Sequence, residues 1–212
     1  MNAAQAGDRI VVSSGLYREQ IKLDKAIHIR GAGPRSAITL EHGGKGHTLH
    51  CTAGDATQKA RLENLTIKHT GSGSTYDAVH ASQAGSLEVH ECDLSSTGGA
   101  GLHIKGSGTR AEVTWCMAHH SNQSGFLIAS QAFATLEDCT ASDNGQAGYV
   151  VMEAEAELRR NIAVRNLGGV GVFGKGSACL LERNQLRGNR QDNLHIDTAC
   201  KKNVTQSGNV VD

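Results

Sequence analysis

His80 and His103 are the residues of this chain best suited to chemistry. Each occupies the third place of one short pattern: a small residue, an apolar residue, any residue, then an apolar or small one. The two instances are Ala78-Val79-His80-Ala81 and Gly101-Leu102-His103-Ile104. An imidazole titrates near neutrality, so it can abstract or donate a proton or ligate a metal. Asp77 stands three residues before His80, and Lys105 two residues after His103. Asp77, His80, His103 and Lys105 are therefore the candidate catalytic set for acid–base work on a polar substrate. A metal site built on His80 and His103 needs a third ligand, for which Asp77 would serve. The expectation is nonetheless of no metal and no other cofactor.

The pattern that carries these histidines recurs. It returns at Gly125-Phe126-Leu127-Ile128, Gly148-Tyr149-Val150-Val151, Gly171-Val172-Phe173-Gly174 and Asn193-Leu194-His195-Ile196, with starts 23, 24, 23, 23 and 22 residues apart. A fixed period of this length marks a repeat architecture. A second register agrees with it, anchored on Leu65, Cys92, Cys116, Cys139, Asn161, Asn184 and Asn203. Three residues before the first six anchors come Leu62, Val89, Val113, Leu136, Leu158 and Leu181, and five after them come Thr70, Thr97, Ser121, Asn144, Asn166 and Asn189. Short alternating runs in such a frame predict parallel strands stacked about 4.8 Å apart, with like residue above like residue. Stacked asparagine amides donate to and accept from the coils above and below. Asn161, Asn184 and Asn203 are expected to form one such column, and Asn144, Asn166 and Asn189 another.

In a strand that alternates in and out, the third residue of the pattern faces outward. The expected outer column is His80, His103, Leu127, Val150, Phe173 and His195. A second runs two residues further on, through Ser82, Lys105, Ala129, Met152, Lys175 and Asp197. Leu127, Val150, Met152 and Phe173 would then make an apolar strip. One polar patch flanks it at Asp77, His80, His103 and Lys105, and another at Asp192, His195, Asp197 and Lys175. An exposed apolar strip with a polar rim is how interfaces look. The expected binding residues are His80, His103, Leu127, Val150, Met152, Phe173, Lys175 and His195. Aromatics make up 3% of the chain, with Phe126 and Tyr149 inward by register and Trp115, Phe173 and Tyr76 the outward ones.

Composition narrows the field. The chain has 212 residues, enough for one domain with a full core, and its net charge is zero. Nothing global therefore favours nucleic acid or an anionic membrane. No apolar run reaches about 18 residues, so no transmembrane helix is expected. No signal-like stretch opens the chain. The six cysteines fall mostly on inward columns and contain no C-x-x-C pair, which reads as free thiols filling the core. Free thiols suit a reducing compartment, and a cytoplasmic location is expected.

Residues 1–8 look like the end of an N-terminal cap helix, stopped at Gly7, and residues 70–76 like a flexible insertion. The tail from Gly208 to Asp212 offers no evident cap. A single domain over 1–212, part of a longer protein with neighbouring domains at both ends, is expected.

The runs Ala6-Gly7-Asp8-Arg9-Ile10-Val11-Val12, Gly15-Leu16-Tyr17-Arg18-Glu19 and Ile27-His28-Ile29-Arg30-Gly31-Ala32-Gly33 resemble the start of many right-handed parallel β-helix proteins. This pectin lyase-like superfamily includes pectate lyases, pectin methylesterases, alginate epimerases and the β-helix domains of certain F-box and Shc-binding proteins. The resemblance covers nearly the whole chain. It implies an all-β, right-handed, three-sheet solenoid of about eight coils, which binds polysaccharide in the enzymes and protein in the F-box type. The acidic calcium-binding set of the lyases, the Asp-Pro-His-Glu of the epimerases and the paired Asp and Arg motifs of the methylesterases do not occur here. The functional expectation is a non-catalytic recognition or scaffold module. Its protein or glycan partner would lie along the outer strand face, with neither nucleic acid nor membrane involved. The alternative is a polysaccharide-active enzyme, a lyase, epimerase or glycoside hydrolase, working on that same face.

Overall fold

The computed structural model describes residues 3–55, 57–71 and 75–212. Over these the chain is a parallel β-solenoid of three sheets with almost no helix. The first sheet has nine described strands, from Arg9–Val12 to Val204–Ser207, and the second nine, from Gly15–Arg18 to Val210–Val211. The third has eight: Ile21–Leu23, Leu49–Cys51, Val79–Ala81, Leu102–Lys105, Phe126–Ala129, Ala147–Met152, Gly168–Phe173 and Leu194–Ile196. Every strand pairs with its equivalent one coil on. That makes about nine turns, one more than the sequence suggested.

The predicted inward columns stand in file. Leu62, Val89, Val113, Leu136, Leu158 and Leu181 pair in register along the first sheet. None is more than 1% exposed. Burying each such side chain contributes about 1.5–3 kcal/mol, so the file is a principal source of stability. Phe126 and Tyr149 stack inside at 5.1 Å, and the tyrosine hydroxyl donates to the Cys139 carbonyl at 2.8 Å. All six cysteines are free and buried.

In six coils two residues form the corner between the first and second sheets, and the first of them has a positive φ. Asn64, Glu91, Trp115, Asp138, Arg160 and Arg183 all sit there in the left-handed region, with φ between 51° and 56°. The left-handed residue swings the chain so that the next side chain, from Leu65 to Asn184, points inward. Its amide would be stranded in the core, but where the coil above carries an asparagine, that side chain supplies an acceptor. Cys139 N–H donates to Asn161 Oδ1 and Asn161 N–H to Asn184 Oδ1, each at 2.9 Å. The second asparagine column lies at the corner between the second and third sheets. There Asn144 Nδ2 donates to Asn166 Oδ1 at 2.8 Å and Asn166 Nδ2 to Asn189 Oδ1 at 3.1 Å.

Two expectations are corrected here. The first column continues to Asn209, not Asn203, through Asn184 Nδ2 to Asn209 Oδ1 at 3.0 Å. The last coil is longer because it contains a 3-10 turn, Lys201–Asn203, which takes up Asn203 and moves Thr205 opposite Leu180. At the other end, residues 3–8 are turn and extended chain rather than helix. So short a segment cannot offset helix nucleation. It is tied down instead by Gly7 N–H to the Ala26 carbonyl and by Lys25 Nζ to the Ala4 carbonyl, both 2.8 Å. Met1, Asn2 and residues 72–74 of the expected insertion lie outside the described residues.

Candidate ligand-binding face

The third sheet carries the candidate residues. Its outer column runs Lys22, His50, His80, His103, Leu127, Val150, Gly171 and His195. Phe173 was expected beside Val150, but it pairs with Met152, in the second column after Lys105 and Ala129. Lys175, expected in that second column, falls in the turn after the strand. The repeat unit here starts at Gly169, not Gly171. Two glycines two residues apart fit the small-residue place equally well, which is why the pattern alone shifts the register.

The shift has a structural effect. Gly171 has no side chain, and the Phe173 ring folds back over it: a Cβ at Gly171 would stand 2.3 Å from the ring. The ring then stacks on His195, centroids 5.2 Å apart and planes 24° from parallel. Beside it opens a groove of about 330 Å³, with Val150 and Leu167 in its wall and Gln146, Gln191 and Asp192 supplying polar groups. Asp192 Oδ2 lies 3.5 Å from His195 Nδ1. Leu127 and Val150 are half-buried, and Met152 is exposed.

At the other end of the sheet, Asp77 is the hub of a histidine cluster. Its side chain is 2% exposed. Oδ1 accepts the Ala100 N–H at 2.8 Å. Oδ2 meets His80 Nδ1 at 2.9 Å, and His103 Nδ1 and His47 Nδ1 at 3.2 Å each. The chain can pass so close because residue 99 is glycine, where a Cβ would come 2.4 Å from Oδ1. The rings pack on one another: His47 on His80 at 4.0 Å, His80 against His103 at 4.8 Å and His50 against His80 at 5.2 Å. Tyr76 meets His47 edge-on at 5.6 Å.

Burial disfavours the Asp77 carboxylate, but hydrogen bonds from His103 foremost, and from His80, outweigh it and hold the carboxyl far below its usual range. Burial lowers His80, opposed by its bond to Asp77. Burial, then the nearby His80 and His47, lowers His50 to about 4. His50 and His80 are therefore held as neutral imidazoles near neutral pH.

The structure thus gathers Asp77, His80 and His103 as expected and adds His47 and His50. His50 was legible as the middle of Leu49-His50-Cys51, the same motif one coil earlier. His47 was not, because it precedes its strand and reaches Asp77 only through the fold. Lys105 is exposed and makes no ion pair with any described residue. Among the described residues, no helix is long and apolar enough to cross a membrane.

No curated protein sequence matches the chain significantly. Among solved structures it is similar to pectate lyase Pel9A, with a TM-score of 0.59 and 14% identity over 100% of this chain and 72% of that one. It is similar also to the pectin methylesterase of Aspergillus niger, with a TM-score of 0.60 and 15% identity over 98% and 79%. Identities this low establish a shared fold alone. The family model for a right-handed β-helix region matches residues 47–211. With three parallel sheets wound coil on coil, the chain belongs to the right-handed β-helix family.

Proposed function

We propose that this chain is a glycan-recognition β-helix whose ligand lies along the outer face of the third sheet. The observation that carries the reading is the Phe173 platform. Its ring rests on Gly171, stacks on His195 and borders a groove bearing two glutamine amides and a carboxylate. A pyranose has an apolar face of C–H groups that packs on an aromatic ring, and a rim of hydroxyls that bonds to amides and carboxylates. Leu127, Val150 and Met152 continue the apolar strip toward the histidine cluster. The two fold relatives carry pectin-related activities in their names, so uronate polymers are the first ligands to test. Six unpaired thiols support a reducing compartment as the place of action.

The test is calorimetric titration with oligogalacturonates, oligoalginates and neutral oligosaccharides. One of these should bind, and Phe173→Ala should weaken it at least tenfold with the melting temperature unchanged. Failure of every glycan, or a Phe173→Ala protein that binds as before, would refute the reading. In that case a protein partner on the same strip becomes the better account.

Catalysis is a second reading with its own support. Asp77 fixes His80 through Nδ1, which leaves Nε2 as a candidate base, as in any carboxylate–imidazole pair. Turnover of a uronate polymer that disappears in His80→Gln would establish it. Turnover equal in both proteins, or absent from the native chain, would remove it.

A further inference from the structure

We infer that His47, Asp77 and His80 form a binding site for a single divalent transition-metal ion of the zinc type. Each of the three offers one ligand atom, and these atoms all lie within 4.8 Å of one another. Oδ2 stands 3.2 Å from His47 Nδ1 and 2.9 Å from His80 Nδ1. Tetrahedral zinc with bonds of about 2.0–2.1 Å sets neighbouring ligand atoms roughly 3.3 Å apart. Both histidine–aspartate distances already stand close to that spacing.

Counting protons leads to the same place. The Asp77 backbone N–H donates to His47 Nδ1 at 2.9 Å. That nitrogen therefore carries a lone pair and no hydrogen. That same lone pair would bind the ion, so binding gives up the hydrogen bond from the Asp77 N–H and puts a shared cation between His47 Nδ1 and Oδ2, which now face each other as two acceptors. His80 Nδ1 does carry a hydrogen, donated to Oδ2 at 2.9 Å. A metal ion takes the place of that hydrogen, and the neutral ring changes tautomer, its proton passing to Nε2.

The surroundings suit the role. Oδ1 is engaged by the Ala100 N–H, so the carboxylate offers one oxygen. His103 Nδ1 approaches Oδ2 from another side at 3.2 Å and orients it. The ligands sit on adjacent coils joined by the backbone. Thr48 N–H donates to the Asp77 carbonyl at 3.2 Å and Leu49 N–H to the Ala78 carbonyl at 3.0 Å. The His47 side chain is 21% exposed, which gives the ion a way in, while Asp77 is shielded. Two imidazoles and one carboxylate match zinc, cobalt or nickel, with a fourth position left for water. Calcium and magnesium demand more oxygens than are present.

This site is distinct from the Phe173 platform, and its test uses no glycan. Zn2+ or Co2+ is titrated into the full chain by calorimetry, and the cobalt complex is followed by its visible absorption. The expected result is one equivalent bound, with intense tetrahedral-type cobalt bands. His47→Gln and His80→Gln should each weaken binding at least a hundredfold, and His103→Gln about tenfold, the usual effect of an outer partner. Circular dichroism melts confirm that each variant is folded. The inference is overturned if the folded native chain binds neither ion, or if the bound equivalent survives in both His47→Gln and His80→Gln.

Discussion

Replacing Asn166 by alanine is the sharpest test of how this solenoid holds its third sheet. Asn166 is fully buried at the corner that feeds the Gly168–Phe173 strand. Its Oδ1 accepts from the Asn144 backbone N–H at 3.0 Å and from Asn144 Nδ2 at 2.8 Å. Its Nδ2 donates to the Ala141 carbonyl at 3.0 Å and to Asn189 Oδ1 at 3.1 Å. Alanine deletes all four bonds. Asn144 Nδ2 keeps the Ala118 carbonyl, and Asn189 Oδ1 keeps the Asn166 backbone N–H. The Asn144 backbone N–H has no replacement, and the Ala141 carbonyl loses a donor. Each buried group stranded this way costs about 1–3 kcal/mol, so for the two the expected loss is about 2–6 kcal/mol. For a chain of this length that lowers the melting temperature by roughly 4–24 °C. Urea unfolding followed by circular dichroism measures the loss, and hydrogen exchange reads the Asn144 amide directly. Asn166→Asp keeps the acceptor but turns an anionic oxygen toward two other acceptors. It should be worse than alanine at neutral pH and partly recover in acid. A loss under about 1 kcal/mol with the Asn144 amide still protected would refute the ladder argument.

Two further outcomes are expected. His50 has its folded pKa lowered from 6.5 to about 4, so between those values the unfolded chain takes up a proton that the folded chain refuses. Its contribution is intact above pH 6.5 and is lost as pH falls toward 4; His50→Gln should flatten stability against pH across that window, and an unchanged slope would show that His50 is not held neutral. Burial pushes the Cys51 thiol to about 11 and Cys179 to about 12, and raises Cys116 well above its ordinary value. A thiol reagent should therefore modify essentially none of the six cysteines until the protein unfolds, and a rapid burst of labelling in native buffer would contradict that burial.

Most of the architecture was legible because the solenoid repeats its physics once per coil. The file from Leu62 to Leu181 and the columns Cys92–Cys116–Cys139 and Asn144–Asn166–Asn189 could be read from spacing alone. Errors arose where spacing is ambiguous or interrupted. The paired glycines at 169 and 171 allowed two registers and moved Phe173 to the wrong column. The 3-10 turn at Lys201–Asn203 lengthened the last coil and passed the ladder to Asn209. The candidate site was half visible. Asp77, His80 and His103 share a motif, whereas His47 joins them from the coil before, through a contact that separates residues 30 apart in sequence. The Phe173 ring lying over Gly171 is a matter of side-chain direction, which periodicity does not encode.

The outer column from Lys22 to His195 makes the protein a ruler. Its graduation is the strand spacing of about 4.8 Å, set by backbone hydrogen bonds rather than by any side chain. Swapping histidine for leucine or valine on one rung changes what is read there without moving the marks on either side. A ligand laid along the axis would therefore be measured as well as bound, and this scaffold can be rewritten rung by rung while its scale stays the same.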